Sequence, residues 1–186
     1  AEIRTGCELL SARHNGQTWQ LETSLGAFSA KTVVNAAGAW ADTVAALCGA
    51  APLGLVPYRR TAISVDLPGS VNAAALPEVN EIDEVWYFKP DAGRLLVSPA
   101  DATQSEPCDA QPEELDVAYA VHYLEEATTL KVTSVAHKWA GLRTFAPDRL
   151  PVAGFDKDKP AFFWLAGQGG YGIQSSPALG DYAASL

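Results

Sequence analysis

Near the C-terminus the stretch Leu165-Ala166-Gly167-Gln168-Gly169-Gly170-Tyr171-Gly172-Ile173-Gln174-Ser175-Ser176-Pro177 places four glycines within six residues. The apolar run Phe162-Phe163-Trp164-Leu165 feeds into it. Ser176-Pro177 reads as N-cap and first residue of a helix through Ala178, Leu179 and Tyr182. A strand, a tight loop and a helix start therefore follow one another. Without Cβ atoms, such a loop lets backbone N–H groups approach a flat or anionic ligand, and the positive end of the following helix would face the same ligand. A tight strand-to-helix turn accounts for the same glycines, so the rest of the chain has to decide.

With 186 residues, 48% of them hydrophobic, the chain has enough apolar mass for one sizeable core or two smaller ones. Its net charge of −9, with no run of Lys or Arg, argues against nucleic acid or an anionic membrane surface as partner. A small ligand, cationic if charged, is the better expectation. Cys7, Cys48 and Cys108 are odd in number and far apart, which fits free thiols in a reducing, cytoplasmic compartment better than a disulfide framework. No Cys/His spacing suggests a metal, and no apolar run approaches the roughly 20 residues of a membrane span. The chain contains no methionine. It is expected to be a fragment whose N-terminal half, with any targeting signal, lies elsewhere.

Residues 7–30 show hairpin signals: Asn15-Gly16, the period-two run Gln17 to Thr23, then Gly26. Lys31 to Asn35 reads as a buried strand leading into Ala36-Ala37-Gly38-Ala39-Trp40 and an alanine-rich helix ending before Gly49 and Pro52. Strand, small-residue turn and helix is the layout of half a nucleotide-binding α/β unit, and equally of tight strand–helix packing. From Pro57 the pattern changes. Residues 61–66, 85–88 and 94–98 read as strands, with a turn over Pro90-Asp91-Ala92-Gly93. Residues 112–128 read as a helix with Leu115, Ala118, Val121 and Leu124 inward. Residues 131–139 return as a strand anchored by Val132, Val135 and Trp139, and 141–148 follow as a loop. The expected architecture is an α/β piece (1–52), an inserted antiparallel α+β piece (53–139), and a return to the first piece (140–186).

Arg143 is the most informative single residue. It follows Trp139-Ala140-Gly141-Leu142 at the expected crossing, and its planar fork matches a carboxylate, either of a ligand or of an internal salt bridge. Arg59 and Arg60 begin a strand, so one should point into the sheet face and the other away, and exposed basic residues are the usual explanation for such a pair. Tyr87, between Trp86 and Phe88, could offer its phenol to a ligand or belong to the core. His14, His122 and His137 have no catalytic spacing, Asp148 reads as a turn residue, and no nucleophile–base set is present, so no protein residue is assigned as catalytic. Chemistry here would be a cofactor's.

Val33-Val34-Asn35-Ala36-Ala37-Gly38-Ala39-Trp40, Trp139-Ala140-Gly141-Leu142-Arg143 and Gly167 to Ala178 together resemble the second half of the FAD-dependent D-amino-acid oxidase and dehydrogenase family, which includes glycine and sarcosine oxidases. Pro52 to Leu55, Arg59-Arg60-Thr61, Tyr87 to Gly93, Glu125 to Leu130 and Gly169 to Gln174 are most similar to its D-arginine dehydrogenase branch. The resemblance implies a partial FAD-binding domain interrupted by an antiparallel-sheet substrate domain. It implies that Arg143 pairs with a substrate α-carboxylate, that Arg60 and Tyr87 line the same pocket, and that the Gly170 carbonyl lies near the substrate amine. It further implies that Gly169, Gly170, Tyr171, Gly172, Ile173 and Gln174 wrap the flavin, with Leu9, Ala36, Ala37 and Gly38 near the rest of FAD. A small D-amino acid, an electron acceptor and the missing N-terminal half are the implied partners. In the family an N-terminal dinucleotide-binding strand with its own Gly-x-Gly-x-x-Gly loop precedes these segments; it is expected in the missing half, so the chain alone is expected to hold FAD weakly.

Overall fold

The computed structural model describes residues 2–186. They form two compact units, one taking the residues up to Pro57 together with Arg143–Leu186, the other Tyr58–Leu142. In chain order the strands and helices are β1 (Leu9–His14), β2 (Trp19–Thr23), β3 (Gly26–Ala30), β4 (Val33–Asn35), α1 (Ala41–Leu47), β5 (Val56–Asp66), β6 (Val79–Asn80), β7 (Tyr87–Asp91), β8 (Arg94–Ser98), β9 (Thr103–Gln104), α2 (Glu114–Ala127), β10 (Ser134–Phe145), β11 (Val152–Phe155), β12 (Phe162–Ala166) and α3 (Gly172–Ser185). The chain passes between the units within β5 and within β10. The fold is mixed: α/β character in the first unit, antiparallel α+β in the second. No helix among the described residues is long and apolar enough to cross a membrane.

The first unit has two three-stranded sheets, β1-β2-β3 and β11-β12-β4. The hairpin between β1 and β2 closes where the Asn15 side-chain oxygen accepts the Gln17 and Thr18 amides at 3.0 and 2.9 Å. β12 runs parallel to β4 and antiparallel to β11. Trp19, Ala41, Ala45, Phe162, Trp164 and Ala166 fill the core between these elements. Asn35 is 1% exposed, so its amide must be satisfied internally. It donates to the Ala41 carbonyl at 2.8 Å and accepts the Ala37 amide at 3.3 Å, pinning the turn after β4. The Asp42 carboxylate accepts the Leu53 and Leu55 amides at 3.0 and 2.9 Å, which fixes the approach to β5.

Asp156 closes the β11–β12 hairpin. Its carboxylate accepts the Trp164 indole N–H at 3.0 Å and the Asp158 and Lys159 amides at 2.9 Å each. The indole hydrogen bond, against some desolvation and with help from those amides, holds its pKa below the ordinary carboxylate value. A depressed carboxylate stabilises the fold fully above about pH 4, the unfolded pKa, and the contribution is lost as pH falls through the lower folded value. Asp156→Asn is therefore expected to lower the unfolding temperature at pH 7, with the gap to the parent chain closing as pH drops below about 4. Thermal unfolding from pH 7 to pH 3 checks this; a gap independent of pH would remove Asp156 from that role.

In the second unit the sheet order is β10-β5-β8-β7-β6, with β9 on β5. Across the sheet, Ile63 pairs with Val97 and Val97 with Phe88. These face α2, whose Ala120 and Leu124 are fully buried against Ile63, Val65, Leu95, Val97, Trp86 and Phe88. The inward side of α2 is thus Val117, Ala120, Val121 and Leu124. This corrects the expected face, because Leu115 is 60% exposed and Ala118 is also exposed. A spacing of three drifts off one side of a helix with 3.6 residues per turn, and the 117/120/121/124 set tracks it. Val135 and Trp139, expected as anchors of their strand, are 37% and 42% exposed. The turn between β7 and β8 is tighter than expected: Pro90 and Asp91 belong to β7, and Ala92 and Gly93, both at positive φ, make a two-residue loop.

Arg59 and Arg60 do not behave as exposed basic residues. Only 14% of the Arg59 side chain is exposed, and its guanidinium is shared by Glu113 at 2.5 Å, Asp116 at 3.0 Å and, at 3.8 Å, Asp101. Burial works against the charge, but Glu113 and Asp116 outweigh it and raise the Arg59 pKa further. Asp116 is nevertheless also raised, by burial first and the neighbouring Asp101 next, with Arg59 opposing. Both partners are thus raised: the Arg59 charge is favoured, whereas at Asp116 burial and the Asp101 charge outweigh the pull of Arg59. Asp101 in addition accepts the Thr61 amide at 2.6 Å and the Thr61 hydroxyl at 3.0 Å.

Candidate functional site

β4 and β12 are parallel neighbours, with Asn35 opposite Trp164. Chain leaving their carboxyl ends becomes Ala36-Ala37-Gly38 in one case and Gly167 to Tyr171 in the other. Each turn is followed by a helix, α1 through a short 3-10 turn over Gly38–Trp40 and α3 directly. The carboxyl edge of parallel strands is where α/β folds receive ligands, because successive loops and helix N-termini converge there. Leu9 begins β1 and is half-buried against the core of the same unit.

α3 starts at Gly172, four residues before the expected N-cap at Ser176, and Pro177 lies inside it. A proline at that position cannot donate to the Ile173 carbonyl. The Ser176 hydroxyl donates to it instead at 2.9 Å, and the Ser175 hydroxyl reinforces the Tyr171 carbonyl at 2.7 Å, so the helix tolerates its proline. The earlier start has a chemical result. The backbone N–H groups of Gly172, Ile173 and Gln174 occupy the first turn, where no intrahelical acceptor exists. These donors, with the positive helix end, open from the glycine loop itself.

β10 likewise extends further than expected, through Phe145, so Arg143 stands on a strand and not in a loop. The alternation Arg143, Thr144, Phe145, with Thr144 buried, continues the period of two, and Phe145 bridges to Gln168 in the glycine loop. Gly169 donates its amide to the Thr144 carbonyl at 2.9 Å. Its φ is +54°, and a Cβ there would lie 2.3 Å from the Phe145 ring. The guanidinium of Arg149 sits 5.0 Å over the centroid of that ring. Strand and loop are thereby held together immediately after Arg143.

Arg143 is half-buried and, among the described residues, has no hydrogen-bond or ion-pair partner. The contrast with Arg59, surrounded by three carboxylates, and with Arg94, paired to Asp66 at 2.7 Å, is direct. A half-buried guanidinium with open edges beside a loop of backbone donors can receive a planar carboxylate in bidentate fashion. Of the residues singled out in the sequence, Arg143 and Gly169 to Gln174 are brought together in this way.

Arg60 and Tyr87 belong to the second unit. Phe88 and Ile63 point to α2, so Tyr87, one residue from Phe88, and Arg60, three from Ile63, share the opposite face of that sheet. Arg60 donates through Nε to the Asp101 carbonyl at 2.7 Å, and Tyr87 is half-buried. The same face carries an open cleft of about 390 Å³ lined by Ser64, Asp91, Ala92, Arg94, His137 and Trp139. His14 packs edge-on to Trp19, His122 pairs with Glu126 on α2, and Asp148 accepts the Leu150 amide in a turn. Among the described residues no cluster of three His, Cys, Asp or Glu could hold a metal ion. Asn35 and Phe145, which hold the two loops, escaped the sequence reading. The available signals were an asparagine ending a β-branched strand and an aromatic residue two positions after Arg143.

Over residues 1–186 the chain matches the family model described as DAO, FAD dependent oxidoreductase. It is 27% identical over 192 residues to mitochondrial dimethylglycine dehydrogenase of Homo sapiens, covering 93% of this chain and 22% of that protein. It is 26% identical over 180 residues to glycine oxidase of Geobacillus kaustophilus, covering 96% of this chain and 46% of that protein. The crystal structure of that oxidase superposes with a TM-score of 0.78 over 97% of this chain and 47% of its own. L-proline dehydrogenase from P. horikoshii, 21% identical, shares the fold with a TM-score of 0.77 over 97% and 49%. The chain therefore spans less than half the length of each of these relatives.

Proposed function

Because the chain belongs to the DAO family of FAD-dependent oxidoreductases, we propose that it is the C-terminal part of a flavoenzyme that oxidises a D-amino acid, D-arginine included, to the imino acid. The observation that carries this reading is Arg143: a half-buried guanidinium without a partner among the described residues, set beside a loop that opens into free helix-terminal donors. FAD is the family's cofactor, and when bound it accepts a hydride from the carbon bearing the amine. The residues present fit it, since the amides of Gly172, Ile173 and Gln174 lack intrahelical acceptors and would hold a carbonyl or anionic edge. Ala36, Ala37 and Gly38 leave the carboxyl end of the neighbouring parallel strand and would hold a more distant part of the same cofactor.

Arg143 holds the carboxylate, which converts a free encounter into a positioned one. The Gly170 carbonyl accepts a hydrogen bond from the amine. No side-chain base is required if the amine binds neutral. Tyr87 and Arg60 are proposed as further substrate-binding residues, supported by the resemblance of their segments to the family and by the sheet face they share.

A second reading, glycine or an N-methylated glycine as substrate, is favoured by the similarity to glycine oxidase and dimethylglycine dehydrogenase. Anaerobic mixing of the complete protein with D-arginine, other D-amino acids, glycine and sarcosine, followed by flavin bleaching, separates the two. Bleaching by D-amino acids supports the first reading, by glycine or sarcosine alone the second, and by none of them neither. Reoxidation by dissolved oxygen, or only by an artificial acceptor, then distinguishes an oxidase from a dehydrogenase.

A further inference from the structure

Gly170 stands apart from the other loop glycines. Gly167 and Gly169 have positive φ, which a side chain would strain, but the Gly170 backbone lies outside that region. The nearest atoms a Cβ would meet there all belong to one group: it would fall 2.9 Å from Nη1, 3.2 Å from Cζ and 3.5 Å from Nε of Arg143. Three atoms of a planar group at such similar distances place Gly170 over the flat face of the fork, not at its edge. The face is thereby covered, and the N–H edges stay free for hydrogen bonding.

We infer that Gly170 is a positioning residue for Arg143: its missing side chain is the seat on which the guanidinium lies flat, and this sets the plane in which a carboxylate can be gripped. The inference rests on the reading of Arg143 as the carboxylate receptor. It concerns the side-chain space of Gly170 and is separate from any hydrogen bond made by its carbonyl. An added methyl meets the far end of a long, flexible side chain, so the guanidinium gives way before the fold does. The loss should fall on carboxylate binding.

The test uses the complete flavin-loaded enzyme, with propionate as the probe and flavin absorbance as the readout, in a double-mutant cycle of Gly170→Ala and Arg143→Ala. Gly170→Ala is expected to raise the propionate Kd, and the KM of the amino-acid substrate, about tenfold, a larger factor than any fall in kcat. Gly170→Ala added to Arg143→Ala should weaken propionate no further, because the group it displaces is gone. Additive losses would overturn the inference, as would an unchanged Kd in the single Gly170 variant. If Arg143→Ala itself leaves propionate binding intact, the carboxylate-receptor reading fails, a result separable from the failure of Gly170 alone. Should Gly170→Ala not fold, recovery of folding in the double variant supports the seat, and failure of both variants overturns it.

Discussion

Replacing Arg143 by alanine in the complete flavoenzyme is expected to lower kcat/KM for an amino acid about 100-fold, equivalent to roughly 3 kcal/mol, with most of the loss in KM. The magnitude follows from the environment. In the described residues the guanidinium meets no carboxylate, so a substrate carboxylate would provide its charge partner, and the bidentate match supplies orientation as well as attraction. A lysine at the same position keeps the charge but not the fork, and is expected to recover only part of the loss. Steady-state kinetics with the best substrate from the flavin-bleaching screen decides the matter. Unchanged KM in the alanine variant would remove Arg143 from the binding site.

Arg59→Met is expected to destabilise the second unit by about 3 kcal/mol, because it strands charges that have little access to water. The Asp101 and Asp116 side chains are 7% and 15% exposed, and Arg59 is the cation beside both. Asp116 is already held above its ordinary pKa by burial and by Asp101, so losing Arg59 leaves it with the raising influences alone. Asp101 also anchors Thr61 on β5, which carries the loss into the sheet. Changing Asp116 to asparagine in the Arg59→Met background should restore part of the stability by removing one stranded charge. Urea unfolding of the single and double variants measures both effects; equal midpoints for Arg59→Met and the parent would exclude the cluster as a stabilising element.

Local patterns were reliable wherever a residue's immediate neighbours settle its conformation. The β1–β2–β3 meander was legible because Asn15-Gly16 and a period of two specify a hairpin without long-range help. β8 was read with its observed bounds, being a short apolar run between turn residues. The expected start of α3 failed because Ser176-Pro177 is a good local helix opening, and only the hydroxyls of Ser175 and Ser176 in the folded helix show how an earlier start is tolerated. The end of β10 was misplaced for a related reason: Gly141 suggests a break, but pairing of Phe145 with Gln168, distant in sequence, extends the strand.

By itself, the sequence determined the kinds of residue available and their order: a turn of small residues after a β-branched strand, one arginine after Trp139-Ala140-Gly141-Leu142, and a glycine loop before a helix. That order was enough for the family resemblance, because a cofactor fold depends on short motifs at long intervals. Tertiary structure alone decided which charges are spent and which are open. Arg59 and Arg143 look alike in sequence, yet one is surrounded by three carboxylates and the other meets none among the described residues. It also decided what a side chain at Gly170 would meet, since the guanidinium beside it comes from a strand 27 positions earlier in the chain. Partnership of charges and exclusion of atoms are facts about distances across space, and no local pattern encodes them.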